Sequence, residues 1–434
     1  MRLGGRMAAA AEIVADMDAR RRPVADALKD WGLSHRFAGS GDRAAIGNLV
    51  YDVLRRRRSI AWRIGSNAPA DLVIGAVLAE PSGSVERLAV ALDGDRFAPA
   101  LPDRQILDAF LNRDLDEAPD AIRADLPDWL APRFADAFGA DWIGEAQALA
   151  ARPPLDMRVN TLLAEPEAVE RELAPFEAHR SPLAPAGLRI DPIEGDRRHP
   201  NVQVEAGFQK GHFEIQDEGS QLVALLAGAG EGQRVLDYCA GAGGKTLALG
   251  AAMRNTGEIH AFDADRTRLA PIHDRLRRAG LANVEVHAPR DDLSPLAGTM
   301  DLVLVDAPCT GTGTWRRRPD AKWRLSEGTV AKRMSEQDGV LDRAAAFVRP
   351  GGRFVFVTCS LLPEENRDRV AAFLAKHPAF RVEDARALWR DALPGAPERY
   401  RTEKLGDGRG LLLSPGRTGT DGFFFAAMQR QGGG

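Results

Sequence analysis

The stretch Arg234-Val235-Leu236-Asp237-Tyr238-Cys239-Ala240-Gly241-Ala242-Gly243-Gly244-Lys245-Thr246 runs from apolar residues into a glycine-rich loop and on into a helix-like segment, Thr246–Met253. Comparable apolar runs follow at Glu258–Asp263, Val284–His287, Asp301–Pro308, Arg353–Ser360 and Gly422–Arg430. Helix-like stretches such as Arg266–Ala279 separate most of them. Strands buried on both faces read as continuous hydrophobic runs, and their alternation with helices predicts an α/β fold with a doubly wound parallel sheet.

Such sheets bind ligands beyond the carboxyl ends of their strands. Here those ends carry the Cys239–Lys245 loop, Asp263, Asp306-Ala307-Pro308-Cys309 and Thr358-Cys359-Ser360. All three cysteines of the chain therefore sit at strand ends. Cysteines used only as small core residues would be expected in mid-strand or on helix faces.

The loop is not a phosphate-binding loop, which needs glycine where Cys239 stands. Nor is it a dinucleotide fingerprint, which needs glycine at Thr246. Its glycines still let the backbone approach a ligand, and Asp263, 22 residues after Gly241, suits a pair of ribose hydroxyls. A cofactor with a ribose and no pyrophosphate is implied, and S-adenosylmethionine fits; a tight structural turn is the plain alternative. Two thiols on neighbouring strand ends suggest a reaction. Thiolate addition at C6 of cytosine turns C5 into a carbon nucleophile able to take a sulfonium methyl, and a base then removes the C5 proton so that the thiolate leaves. Asp306 could hold the N3/N4 edge of the base, which must leave its stack to react.

Composition bounds the rest. The 434 residues suggest about three domains, and 44% apolar with 28% charged residues excludes wholesale disorder. A net charge of −4 means that any polyanion partner needs a locally basic surface. Two stretches offer one. The first 65 residues hold 13 Lys/Arg against 7 Asp/Glu, including Arg55–Arg58. These arginines follow an amphipathic helix (Ile46, Leu49, Val50, Val53, Leu54) that Asp42 or Ser40 could cap, and they read equally as a solvated helix end or an RNA contact. The second stretch, Trp315–Arg324, interleaves Arg316, Arg317, Arg318 and Lys322 with two tryptophans. It suits RNA phosphate contact and base stacking, against a surface loop with buried tryptophans.

The cysteines are too few and scattered for a disulfide framework, and none has zinc spacing, so no metal is expected and a reducing cytoplasm is. No run of 18 apolar residues predicts a membrane span. Glu12, Asp16 and Asp18 interrupt any signal-like hydrophobic region, so the start reads as a polar helix. Three parts are expected: an all-helical region over 1–140, a small α+β subdomain over 150–205 containing the strand-like Met157–Leu162, and the α/β domain over 206–434.

These motifs together resemble the RNA cytosine-5 methyltransferases of the RsmB/Sun type. Asp237–Thr246 is similar to the family's D-x-C-A-A-P-G-G-K-T loop, with Gly241 and Ala242 where Ala-Pro is usual. Asp306-Ala307-Pro308-Cys309-Thr310-Gly311 resembles its D-A-P-C-S-G segment, and Thr358-Cys359-Ser360 its T-C-S, followed by Pro363-Glu364-Glu365-Asn366. Arg158–Leu162, Gln216–Ser220 and Thr420–Phe424 match further segments, from about Pro127-Asp128-Trp129-Leu130 to the C-terminus. The resemblance implies a Rossmann-like catalytic domain in which Cys359 is the nucleophile and Cys309 promotes release of the methylated base. It implies S-adenosylmethionine contacts from Cys239, Ala240, Gly241, Ala242, Gly243, Gly244, Lys245, Asp263 and Asp306, and from Asp291 next to Asp292. It also implies a divergent NusB-like RNA-binding domain at the N-terminus and small-subunit ribosomal RNA as substrate of a monomeric enzyme. Transfer RNA, or a non-catalytic role in ribosome assembly, are the alternatives; a binding module would need neither thiol.

Overall fold

The computed structural model describes residues 1–81, 83–193, 195 and 197–432. The chain forms two compact units. The first comprises Met1–Arg152, Ile193–Arg198 and Trp315–Leu325; the second holds Pro153–Pro192, His199–Thr314 and Ser326–Gly434.

The first unit is helical, as its patterning predicts. In helix Leu3–Arg20, Met7, Ala10, Ile13, Val14 and Met17 recur at helical spacing and are buried. They share one core with Ile46, Val50, Val53 and Leu54 of helix Ser40–Arg55 and with Leu72, Val73 and Ile74 of helix Pro69–Leu78. Each such side chain contributes about 1.5–3 kcal/mol by leaving water. Neither Asp42 nor Ser40 caps helix Ser40–Arg55: Ser40 is already its first residue, and the Asp42 carboxylate binds the Met1 amino group at 2.9 Å and Arg6 Nε at 3.0 Å.

The arginine run is turned inward. Arg55 donates to the Arg316 carbonyl (2.9 Å), Arg56 to the Ala79 carbonyl (3.1 Å), Arg57 to Asp18 (2.7 Å) and Arg58 to Asp128 (2.6 Å). The four side chains tie helices together instead of forming one solvated end. The Trp/Arg segment belongs to this unit too. Trp315 is fully buried and stacks on Phe134 with ring centres 5.8 Å apart, while Trp323 Nε1 donates to the Leu54 carbonyl at 2.7 Å.

The second unit contains two sheets. Strands β1 (Leu155–Val159), β2 (His179–Arg180), β3 (Gly187–Ile190) and β4 (Phe213–Ile215) form an antiparallel sheet in the order β2-β3-β1-β4. Strand β1 begins and ends earlier than Met157–Leu162, because Asn160 turns out of it to donate to the carbonyls of Gly211 (3.1 Å) and Ala279 (2.9 Å). Strand β4 lies past residue 205, so the small sheet draws on chain beyond the expected subdomain.

The large sheet contains β5 (Arg234–Asp237), β6 (Glu258–Phe262), β7 (Val284–His287), β8 (Met300–Asp306), β9 (Val348–Thr358), β10 (Phe380–Val382), β11 (Arg401–Leu405), β12 (Gly408–Leu413) and β13 (Phe423–Arg430). Its order is β11-β12-β13-β9-β8-β5-β6-β7, with β10 also paired to β13. The five strands β9-β8-β5-β6-β7 are parallel, as the apolar runs predict; β13 closes onto β9 antiparallel. Strand order reverses at the β5/β8 junction, which opens a crevice at their carboxyl ends. The helix expected over Arg266–Ala279 is split by Pro271 into Arg266–Leu269 and Ile272–Ala279.

Between the sheets lies a buried ionic knot. Arg189 binds Asp156 at 2.6 Å and Glu218 at 3.0 Å, and Glu218 accepts the amides of Leu183 and Ala184 at 2.7 and 2.8 Å. Neighbouring Asp217 accepts the Asp421 amide at 3.1 Å, so the Gln216–Ser220 and Thr420–Phe424 motifs meet. Among the described residues no helix is long and apolar enough to cross a membrane.

Helix Arg57–Ile64 has no N-terminal side-chain cap of its own. Asp125, buried and at φ +49°, supplies one from afar by accepting the amides of Arg58 (2.8 Å) and Ser59 (2.9 Å) and the Ser59 hydroxyl (2.6 Å). Asp125→Ala strands both amides and leaves the Ser59 hydroxyl only the Arg56 carbonyl, 3.0 Å away. It is expected to lower unfolding free energy by about 2–4 kcal/mol, read by urea denaturation; a loss below about 1 kcal/mol would mean that water caps the helix equally well.

Candidate active site

Strand β5 leaves the sheet at Asp237, and the next residues are held by its neighbours: the Tyr238 amide donates to the Leu304 carbonyl and the Ala240 amide to the Phe262 carbonyl, both at 2.9 Å. The loop then turns through Gly241 (φ +51°) and Gly243 (φ +83°), conformations that L side chains rarely adopt. At Gly243 a Cβ would also lie 2.5 Å from Ile272 Cγ1. Helix Gly244–Ala252 begins immediately afterward. The Ala242 carbonyl accepts from Arg275 at 2.7 Å, and the Gly241 amide donates to Asp263 Oδ2 at 2.9 Å. Asp263 is buried at the end of β6, beside the loop it was expected to serve. Positive-φ glycines next to a buried carboxylate could hold a ribose-bearing cofactor.

Beneath the loop, Asp237 is buried and accepts the Thr246 hydroxyl at 2.7 Å. Burial, against that hydrogen bond, pushes its carboxyl up to about 7. Lys245 is buried as well, with Nζ 2.6 Å from Asp306 Oδ2 and 5.2 Å from the centre of the Phe423 ring. Burial works against the ammonium, but Asp306 outweighs it and holds Lys245 above its ordinary range. Burial first, and then the Asp263 and Asp306 charges, push the Cys239 thiol well up, so it stays protonated.

The other two thiols face each other: Cys309 Sγ and Cys359 Sγ are 3.3 Å apart. The hydrogen bond with Cys359 and then burial push the Cys309 thiol well above its usual value. Both loops are anchored by one fully buried carboxylate, Glu365. It accepts the Thr310 amide (2.8 Å), the Thr310 hydroxyl (2.5 Å) and the Ser360 hydroxyl (2.5 Å). Thr312 reinforces the pairing by accepting the Leu361 amide at 2.7 Å, and the Gly313 amide donates to the Cys359 carbonyl at 2.9 Å. The Pro363–Asn366 motif was legible, but a role for Glu365 was not, because the residues it joins lie up to 55 positions away.

The sequence-derived residues thus converge in three pairs, Gly241 with Asp263, Lys245 with Asp306, and Cys309 with Cys359. Asp291 is exposed and its Oδ2 accepts the Ala288 amide at 2.7 Å, while Asp292 accepts from Ser294 at 2.9 Å. The four basic residues divide differently. Arg316 and Lys322 are buried within the helical unit, where Lys322 Nζ donates to the Arg55 carbonyl at 3.3 Å. Burial brings the Lys322 ammonium down to about 8 and takes it out of reach of a phosphate backbone. Arg317 is half-buried and Arg318 exposed. Among the described residues, one ring nitrogen or carboxylate oxygen from each of His260, Glu285 and His287 lies within 4.8 Å of the others.

A family model described as 16S rRNA methyltransferase RsmB/F matches residues 224–429, and one described as the RsmF/B-like ferredoxin-like domain matches residues 126–193. The ribosomal RNA small subunit methyltransferase B of Sodalis glossinidius is 34% identical over 324 residues, covering 72% of this chain and 68% of that protein. Its counterpart in Salmonella newport is 30% identical over 306 residues, covering 70% and 66%. The chain thus spans about two thirds of the length of these relatives. Among solved structures, that of PH0851 matches with a TM-score of 0.72 at 24% identity, covering 99% of this chain and all of that one. A methyltransferase homologue from Pyrococcus horikoshii matches with a TM-score of 0.59 at 26% identity, covering 72% and 97%.

Glu365→Ala leaves one amide and two hydroxyls without their acceptor. It should cost about 2–4 kcal/mol in urea unfolding and release the Cys309 and Cys359 loops from each other. Thiol labelling by a chromogenic disulfide under native conditions should then accelerate; unchanged labelling would show that the loops hold their spacing without it.

Proposed function

Because the chain belongs to the 16S rRNA methyltransferase RsmB/F family, we propose that it methylates carbon 5 of a cytosine in small-subunit ribosomal RNA through a covalent Cys359 adduct. Its cofactor is S-adenosylmethionine, which supplies an electrophilic sulfonium methyl. The residues fit such a group: buried Asp263 offers a carboxylate to ribose hydroxyls beside Gly241, and the Gly241–Gly244 backbone is open to close approach.

The observation that carries the reading is the 3.3 Å separation of the Cys309 and Cys359 sulfurs beside the Lys245–Asp306 pair. Cys359 adds to C6 and makes C5 nucleophilic. Cys309 keeps its proton at neutral pH, since its hydrogen bond with Cys359 and its burial both raise it. After methylation a base takes the C5 proton, the C6–S bond breaks, and Cys309 is placed to donate its own proton to the departing Cys359 thiolate and to regain one from solvent. Lys245 fixes Asp306 through Oδ2, which leaves Oδ1 to accept from the N4 amino group of the target base and steady the adduct. Lys245 itself is held charged, so it balances the Asp306 carboxylate when the base fills the pocket. Exposed Arg318 is the residue of the Trp/Arg segment best disposed to an RNA phosphate.

The test is transfer of labelled methyl from S-adenosylmethionine to unmodified small-subunit RNA, followed by digestion to nucleosides. Label is expected in 5-methylcytidine. Cys359→Ser should lower the rate at least about 10³-fold and form no adduct. Cys309→Ser should accumulate a denaturant-stable protein–RNA complex. Label in another nucleoside overturns the cytosine reading; an adduct formed by Cys359→Ser and not by Cys309→Ser reverses the two thiol roles.

A further inference from the structure

Strand β7 lies at the edge of the parallel sheet, and its pairing with β6 puts His260 opposite Glu285 and Phe262 opposite His287. Side chains alternate along a strand, so His260, Glu285 and His287 project from one face. The apolar residues of helix Ile272–Ala279 pack with Ala261, on the opposite face of β6, and with Val286. The histidine face instead opens onto a cavity lined by Glu258, Asp291 and Asp292.

On that face the two imidazoles are buried side by side, 5% and 9% exposed. His260 Nδ1 and His287 Nε2 are 2.9 Å apart, and a Glu285 oxygen is 3.5 Å from His260 Nδ1. The other His260 nitrogen, Nε2, is buried without a hydrogen-bond partner, and a Glu258 oxygen stands 3.8 Å away.

We propose that His260, Glu285 and His287 form a binding site for a divalent transition cation of the zinc class, independent of the methyl-transfer chemistry. Two imidazole nitrogens and one carboxylate are a donor set that such cations take, with the fourth position left to water from the open side. Nitrogen–metal bonds of about 2.0–2.1 Å require the two ring nitrogens to part by only a few tenths of an ångström. Coordination turns both lone pairs toward the ion and places the His260 proton on Nε2, where Glu258 becomes its acceptor. A ligating histidine commonly donates its second nitrogen to a carboxylate in this way. The ion fastens edge strand β7 to β6, three residues before Asp263. Magnesium and calcium, which favour oxygen ligands, are excluded by the same chemistry.

The experiment uses the untagged full chain, stripped with a chelator. Zinc is titrated by calorimetry, and cobalt(II) by the visible absorption of a four- or five-coordinate ion. One saturable equivalent is expected, with a rise in Tm on zinc addition and no competition from excess magnesium. Glu285 is exposed, so Glu285→Gln should fold normally and bind at least about 10-fold more weakly. His287→Gln should bind more weakly still, and Glu258→Gln should lose about 10-fold through the positioning of His260 alone. Absence of saturable uptake by the wild-type chain, or uptake unchanged in both Glu285→Gln and His287→Gln, overturns the proposal.

Discussion

The parallel pairing of β8 with β5 on one side and β9 on the other is the constraint on which the site depends. Register places Asp237 opposite Leu304 and Asp306 opposite Val357, so three strands end within a residue or two of one level. Every group with chemistry then enters from a strand end: the glycine loop from β5, Asp306 and Cys309 from β8, Cys359 from β9. A slip of one residue would turn each side chain to the other face of the sheet. The buried runs Leu302–Val305 and Phe354–Val357 set the cost of that slip, since every one of these residues is at most 2% exposed.

Beyond the strands no ladder remains to satisfy backbone polar groups, and the chain meets this need repeatedly with buried carboxylates. Glu365 collects donors from the two cysteine loops, Asp263 takes amides from Gly241 and Asp265, and Glu218 takes those of Leu183 and Ala184. A carboxylate has about four acceptor positions, so one side chain can gather several segments. The arrangement makes the loops specific in shape and sensitive to loss of a single residue, because a stranded buried donor costs more than the bond contributes.

The parallel sheet was legible because strands buried on both faces leave unbroken apolar runs, and their ends point to the loops without further information. Strands β10, β11 and β12 left no such trace: β10 is three residues long, and Arg401–Leu405 is mostly polar at the sheet edge. The basic segments show a different limit. Charge is visible in sequence, but burial is not: Arg55 spends its charge on the Asp52 carboxylate and the Arg316 carbonyl, Lys322 donates to the Arg55 carbonyl, and Arg316 is buried in the same helical unit. The histidine–glutamate group was invisible for a third reason. Its two histidines lie 27 residues apart on two strands, and only the register between those strands brings them together.

The segment Trp315–Leu325 gives the helical unit a dependence on sequence from the middle of the α/β region. Trp315 completes an aromatic stack with Phe134, and Lys322 and Trp323 close hydrogen bonds onto Arg55 and Leu54. The helical unit therefore cannot be inherited, exchanged or excised as a contiguous cassette. A gene fusion that swapped residues 1–152 alone would leave a tryptophan and a lysine shaped for a vanished neighbour. A change near residue 55 would have to be answered near residue 320, inside the same unit but far along the chain.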